Sequence, residues 1–269
     1  YNTIVGMDFN IFSENNYWRG KAFFHQSFSD GYEKDAFAQA FWLRYNTGKV
    51  FLEWNHEYVG ENYQADVGFL PRHDYFRLEP IASYTLFPKN RNTINNYSFR
   101  AYASIYWNGD WLLTDRVVRP SFTLNFINYS SFGVYYRDLS TYLTEPFDPI
   151  REGTPLPVGN YLYRIAGITY QSDFRKPFYY TGGIEYGSFY NGTKLTATSS
   201  LRYRFQPWGN VSIEAELNDI RFPEPYESAI LALIGPKLDV SLSKSIFFST
   251  FIQYNTQISN LNINTRLQW

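Results

Sequence analysis

Apolar and polar residues alternate along much of the chain. In segment 194–205 apolar side chains occupy most alternate positions, with hydroxyl and arginine side chains between them. The same period of two returns in segments 211–219 and 261–269. A period of two places successive side chains on opposite faces of a β-strand. Strands with one apolar and one polar face are typical of transmembrane β-barrels, where lipid contacts one face and water the other.

The alternation predicts an all-β chain that forms a transmembrane, antiparallel, up-and-down β-barrel of about 14–16 strands. The predicted strands have the length that crosses a bilayer at a tilt. They lie near residues 3–12, 17–28, 36–46, 50–60, 75–87, 95–107, 112–126, 132–141, 161–171, 178–190, 194–205, 211–219, 229–242, 246–255 and 261–269.

The connections between these strands alternate in size. The long connections are 61–74, 142–160 and the proline-rich 222–228, and a tight Asn191-Gly192 hairpin falls in the same set. We expect this set to be extracellular and the short set to be periplasmic turns. The short connections are 13–16, 46–49, 88–94, 127–131, 172–177, 206–210 and 243–245.

This parity places the first residue on the extracellular side, whereas bacterial barrels normally begin in the periplasm with an even number of strands. We therefore expect at least one further strand upstream. Residues 1–269 are interpreted as a single outer-membrane barrel domain, excerpted from a longer protein.

Aromatic residues are unusually abundant, at 21% of the chain with 25 Tyr, although the mean hydropathy is −0.39. Tyr and Trp collect where hydrocarbon meets lipid headgroups, so two aromatic girdles would use many of them. The longest apolar run, 229–234, is far shorter than the ~20 residues of a spanning helix. We therefore expect a multi-pass barrel in a bacterial outer membrane, with its lipid as a partner.

The remaining composition argues against several kinds of site. The chain has no Cys and only three His, so we expect neither a metal site nor a cofactor. Its net charge is −1, which lacks the basic footprint of a nucleic-acid partner.

Charged side chains of both signs fall on the polar face of the predicted strands. In a barrel the polar face would line the lumen. Charges of both signs there form either a structural network that fills the barrel or the lining of an aqueous path. Rings of one sign are the better mark of ion selection, so the mixture favours the network. The predicted members are Arg19, Lys21, Glu53, Glu57, Arg77, Glu79, Arg100, Arg202, Arg204, Glu214 and Glu216.

The long outer connections carry the candidate ligand-binding or partner-binding residues. Aromatic rings there can stack on sugars or dock a protein, although membrane anchoring would use the same rings. His73 is the best candidate general base, but the adjacent Asp74 points away from it on an extended chain, so we predict no catalytic residue. The candidates for binding are Tyr63, Phe69, Arg72, His73, Trp111 and Phe147.

Three segments carry a resemblance to a known family: 59–72, which reads VGENYQADVGFLPR, the opening 1–10 and the ending 253–269. They resemble the C-terminal barrel of a family of Bacteroidota outer-membrane proteins. Members carry an N-terminal domain similar to family nine carbohydrate-binding modules, and the barrel is of unassigned function. The resemblance implies an association with glycan handling and a missing upstream domain, although a shared fold is weak evidence of function.

Three functions stay open on these grounds. The first is a non-enzymatic barrel that anchors a domain or assembles with other envelope proteins. The second is a passive or substrate-selective pore, because the strand number approaches that of porins. The third is a surface hydrolase that uses His73.

Overall fold

The computed structural model describes residues 1–32, 34–66, 68, 70–90, 92–151 and 153–269. This part of the chain contains β-strands, turns and loops and no helix, and therefore no helix that could span a membrane. The strands are β1 (Asn2–Phe12), β2 (Trp18–Ser29), β3 (Phe37–Asn46), β4 (Val50–Val59), β5 (Tyr75–Leu78), β6 (Ile81–Leu86), β7 (Ile94–Asn108), β8 (Leu113–Phe126), β9 (Ser131–Leu143), β10 (Gly159–Gln171), β11 (Phe178–Phe189), β12 (Gly192–Phe205), β13 (Gly209–Arg221), β14 (Ala229–Ser241), β15 (Phe247–Asn255) and β16 (Asn260–Gln268).

All strands belong to one antiparallel sheet in which neighbours in sequence are neighbours in space. Among the described residues, the path runs from β1 to β16 without a ladder between these two end strands. The predicted all-β, antiparallel, up-and-down architecture is confirmed. Closure of the sheet into a barrel and its insertion in a membrane stay predictions.

Strands β5 and β6 correspond to one predicted strand, 75–87. Both pair with β4 and β7, and they are separated at Glu79 and Pro80. Proline has no N–H to donate to a ladder. The neighbouring groups still join the sheet, since Glu79 donates its N–H to the Asn55 carbonyl at 2.8 Å and Ala103 donates to the Pro80 carbonyl at 3.1 Å. The sheet therefore passes through this break.

The registers define two faces, here called the apolar face and the polar face. On the apolar face, Met7 of β1 lies opposite Phe24 of β2, and Ile252 of β15 lies opposite Ile263 of β16. Met7 is 74% exposed and Ile263 64% exposed, while Ile252 is half-buried. On the polar face, Asp8 lies beside Lys21 and Glu53 lies opposite Arg44. A water-soluble sheet would cover such an apolar surface with a second layer.

His56 of β4 lies on the apolar face, but Asp, Glu, Arg and Lys side chains are rare there. Within the described strands they occur only on β8, β9, β10 and β13, in the parts of these strands nearest the long connections. The apolar surface is therefore bounded by charge at one end. These residues are Arg116, Asp138, Arg164, Asp219 and Arg221.

Two long connections fold over the polar face. In connection 60–74, Tyr63 packs against Ala38, Val59 and Tyr75 to form a small buried core. Connection 144–158 reaches the connection between β13 and β14, where its Thr154 N–H donates to the Glu227 carboxylate at 2.7 Å. Burial of these apolar side chains holds the connections against the sheet.

Candidate functional site: the polar face and its covering loops

A cluster of paired charges joins β4, β5 and β7 on the polar face. Arg77 lies 2.5 Å from Glu57 and 3.5 Å from Glu79, and each of these three side chains is about one quarter exposed or less. The Tyr75 hydroxyl donates to Glu57, while Ser104 donates to Glu79 at 3.0 Å. Charges that are partly removed from water need partners of this kind. The cluster supplies most of these partners and crosslinks three strands, although the Nε of Arg77 is buried without a hydrogen bond.

A second cluster lies on β8 to β11. The carboxylate of Glu185 receives hydrogen bonds from Arg137 at 2.5 Å and from the Tyr135 hydroxyl at 2.6 Å. The guanidinium of Arg119 lies 4.4 Å from the centre of the Tyr135 ring, a cation–π contact. Opposite charges are again matched side by side.

The other predicted network residues are distributed over the same face rather than linked in one network. Lys21 pairs with Asp8 at 3.2 Å and Glu53 pairs with Arg44 at 2.7 Å. Arg204 instead donates to the backbone carbonyls of Phe174 and Lys176 in a short connection. The remaining residues lie on the polar face: Arg19, which is opposite Arg44, together with Arg100, Arg202, Glu214 and Glu216.

A concavity of about 450 Å³ lies against β10 to β15. Small hydroxyl side chains, Thr169, Thr181 and Thr198 among them, line it together with Glu214 and Glu216. The apolar Leu233 and Phe251 line it as well, so the concavity is of mixed polar and apolar character. Its volume falls within the usual range for a small-molecule site.

The predicted binding residues of connection 60–74 have different environments. Tyr63 is only 5% exposed, and burial raises the pKa of its hydroxyl. Arg72 donates to Asp115 at 3.0 Å and to Thr114 at 2.9 Å on β8. His73 is exposed, and Phe69 lies outside the described residues. Tyr63 and Arg72 therefore fasten the connection to the sheet.

An aromatic cluster surrounds Tyr190 at the end of β11. Its ring lies 5.8 Å from Phe147, 5.3 Å from Tyr161 and 4.7 Å from Phe189. Burial and the nearby Tyr163 and Asp115 raise the pKa of the Tyr190 hydroxyl to about 12. Phe147, a predicted binding residue, is 43% exposed and forms the outer edge of this cluster.

Trp111, another predicted binding residue, lies in the connection between β7 and β8. Its side chain is 68% exposed, and its ring centre is 5.8 Å from that of Phe76 on the apolar face. This placement suits a ring at the boundary between an apolar surface and water.

Connection 144–158 has an ordered turn of its own. The Asp148 carboxylate accepts the N–H groups of Ile150 at 2.9 Å and Gly153 at 2.8 Å. Burial would raise the pKa of Asp148, but these backbone hydrogen bonds outweigh it and lower the pKa. The turn therefore depends on the ionised carboxylate.

In the described part of the chain no group of three or more His, Asp or Glu side chains is arranged to hold a metal ion. No hydrogen bond or ion pair joins His73 to Asp74 among the described residues. The polar face provides ion pairs and hydroxyl groups, and aromatic side chains of the long connections pack over it.

Sequence reasoning missed the charged residues of the apolar face. Arg116 and Asp138 form an ion pair there, and Arg164 lies 3.3 Å from the same carboxylate. Their parity relative to Val118, Val134 and Ile168 was a visible signal, because residues two apart share a face of a strand. They were overlooked because most other residues on the same face of these strands are apolar.

Comparison with known protein families gives a match that covers most of the chain. Residues 2–229 match a family described as a domain of unknown function, DUF5916. A search of the curated proteins and of the solved structures finds no match. Because the matched region covers most of the chain, the protein belongs to the DUF5916 family.

Proposed function

We propose that this chain is an integral β-barrel of a bacterial outer membrane, without enzymatic activity, that anchors or assembles with other envelope proteins. The apolar face of the sheet carries this proposal. It is broad and exposed, and its Asp, Glu, Arg and Lys side chains lie in the half of each strand nearest the long connections.

The extent of the apolar face suits a bilayer. On β14 the apolar positions run from Ile230 to Val240, a rise of roughly 33 Å along the strand at about 3.3 Å per residue. A tilt of about 40° reduces this to a depth of about 25 Å, which is the height of the apolar band in outer-membrane barrels.

The distribution of charge supports the same placement. An Arg or Lys at the middle of a bilayer costs ~2 to 4 kcal/mol, whereas near the interface the cost falls to ~0 to 1 kcal/mol. The row that contains Arg164 and Arg221 lies near the long connections and would mark one interface. Aromatic residues at the opposite strand ends, including Trp18 and Tyr203, would lie at the other.

The polar face and the two long connections that fold over it support the anchoring role. Matched ion pairs such as Arg77 with Glu57 fill space and stiffen the sheet, and connections 60–74 and 144–158 cover one end. Exposed parts of these connections, Phe147 and His73 among them, provide surfaces for a protein or glycan partner. The resemblance to outer-membrane proteins with a carbohydrate-binding module supports an envelope partner of that kind.

Fluorescence of single tryptophans tests the membrane placement. Trp54 lies on the apolar face and Trp42 on the polar face of the neighbouring strand. In variants that retain only one of these tryptophans, brominated lipids should quench Trp54 strongly and Trp42 weakly. Equal quenching, or none for Trp54, would reject the proposal.

A separate experiment tests assembly. Extraction in mild detergent followed by pull-down should recover stable envelope partners. Recovery of the protein alone would argue against an assembly role while leaving membrane insertion intact.

A second candidate function is a polar pathway, and the concavity beside Thr169, Thr198 and Glu216 favours it. The two threonine side chains are short and leave open space on the polar face. If solutes pass here, planar-bilayer recordings should show conductance, and Glu216→Lys should shift its preference from cations toward anions. An inserted protein without conductance would exclude this function.

A further inference from the structure

A row of polar side chains crosses the apolar face near the long connections. The registers place Arg164 of β10 beside Asp138 of β9, and Arg221 of β13 beside Thr193 of β12. Ser188 of β11 completes the row, and its hydroxyl accepts a hydrogen bond from the backbone N–H of Arg164 at 2.8 Å. Adjacent strands lie about 4.8 Å apart. Three such spacings separate the two arginines by about 14 Å at the backbone.

This row and its neighbours Arg116 and Asp219 together carry an excess of positive charge. Arg116 and Arg164 share the single carboxylate of Asp138, and Arg221 pairs with Asp219 at 2.6 Å. Three arginines are therefore balanced by two aspartates. The side chains of Arg164 and Arg221 are also 74% and 60% exposed, so their guanidinium groups are accessible to a ligand.

A groove of about 470 Å³ lies on the same face. Ile168, Ile184 and Leu217 line it, with the smaller Ser199 and Ala215 between them. Ile168 is four residues from Arg164 along β10, which corresponds to about 13 Å. An elongated ligand can thus contact the charged row and the apolar groove together.

We propose that this surface binds a membrane lipid with a phosphorylated, net negative headgroup, held by Arg164 and Arg221, with an acyl chain in the groove. The inference rests on the proposed function, because it requires the apolar face to contact lipid. Guanidinium groups bind phosphate through charge-assisted hydrogen bonds. The surplus positive charge complements an anionic headgroup, and the apolar groove complements a hydrocarbon chain.

Native mass spectrometry with a defined lipid tests the site. The protein is reconstituted in vesicles of phosphatidylcholine with a minority of phosphatidylglycerol, and the lipid retained after gentle detergent release is measured. Arg164→Gln should lower the retained phosphatidylglycerol about fivefold, since one basic residue near an anionic surface contributes about 1 kcal/mol. Asp138 keeps Arg116 as its partner in this variant, so no carboxylate loses its only partner.

Two further variants sharpen the result. Arg100→Gln removes the same charge from an exposed position on the polar face and should retain phosphatidylglycerol like the wild type. Ala215→Phe places a bulky ring in the groove and should lower retention without changing the charged row.

Equal retention by the wild type and Arg164→Gln would overturn the lipid site. A dimer without bound phosphatidylglycerol would also overturn it, because a second copy would then cover the groove. Quenching of Trp54 by brominated lipid in the same vesicles separates the two proposals. If Trp54 is quenched while retention is unchanged, only the lipid site fails, whereas an unquenched Trp54 means that membrane placement itself fails.

Discussion

Replacing Ile184 with arginine measures the environment of the apolar face directly. Ile184 lies on β11 with its side chain 52% exposed, at the edge of the apolar groove. In water, a charged side chain at an exposed apolar position changes stability by no more than about 0.5 kcal/mol. In hydrocarbon the same change is expensive. The two environments therefore predict different outcomes.

The structure sets the size of the expected loss. Ser188, in the polar row, is four residues from Ile184, or about 13 Å along the strand. A tilt of about 40° converts this to a depth of about 10 Å, close to the middle of an apolar band about 25 Å tall. We expect Ile184→Arg to lower the free energy of unfolding by ~2 to 4 kcal/mol in a bilayer.

The assay is reversible urea unfolding in lipid vesicles, followed by tryptophan fluorescence. Thr193→Arg lies in the polar row and should cost ~0 to 1 kcal/mol. Thr198→Arg lies beside the concavity of the polar face and should change stability by about 0.5 kcal/mol or less. If Ile184→Arg is as well tolerated as Thr198→Arg, the apolar face does not contact hydrocarbon.

Three other substitutions test how the polar face and its connections are held. Tyr63→Ala should destabilise the protein by ~3 to 5 kcal/mol, because it leaves a cavity at a buried site. Proteolysis of connection 60–74 should become faster. An unchanged cleavage rate would contradict the packing of Tyr63 against the sheet. Glu57→Gln should lower the free energy of unfolding by about 1 to 3 kcal/mol, since Arg77 and Tyr75 lose a charged acceptor. Urea unfolding measures this loss, with the exposed substitution Glu14→Gln as the control. Arg175 lowers the pKa of Asp173 to about 2, so its stabilising effect is present above about pH 4 and is lost as the pH falls toward 2. The melting temperature of wild type should therefore exceed that of Asp173→Asn at pH 6 but not at pH 2, and a difference independent of pH would refute the ion pair.

The alternation of side chains was sufficient to predict most strands and their bounds. Segment 178–190, for example, was predicted as one strand and is observed as Phe178–Phe189. The break at Pro80 was not foreseen, because the alternation continues on both sides of it. A two-residue period is a local property, and the backbone partners of Glu79 and Pro80 come from distant strands.

The environments of the loop residues depended on long-range contacts that the sequence does not display. Tyr63 and Phe147 both stood in long connections as aromatic candidates for binding. In the structure Tyr63 is buried against Val59 and Tyr75, while Phe147 remains 43% exposed. Arg204 was expected among lumen charges, but near the end of its strand its long side chain reaches turn carbonyls instead.

Connection 144–158 joins parts of the sheet that the strand order keeps apart. It leaves β9, returns in β10, and is hydrogen-bonded to Glu227 beyond β13 and to Gln257 beyond β15. The connection therefore links hairpins that do not pair with each other directly. To separate them, its hydrogen bonds to Glu227 and Gln257 must break as well as the hydrogen bonds between strands. A single proteolytic cut near Thr154 should loosen several hairpins together, whereas a cut at Asp110 should free only the β7–β8 hairpin.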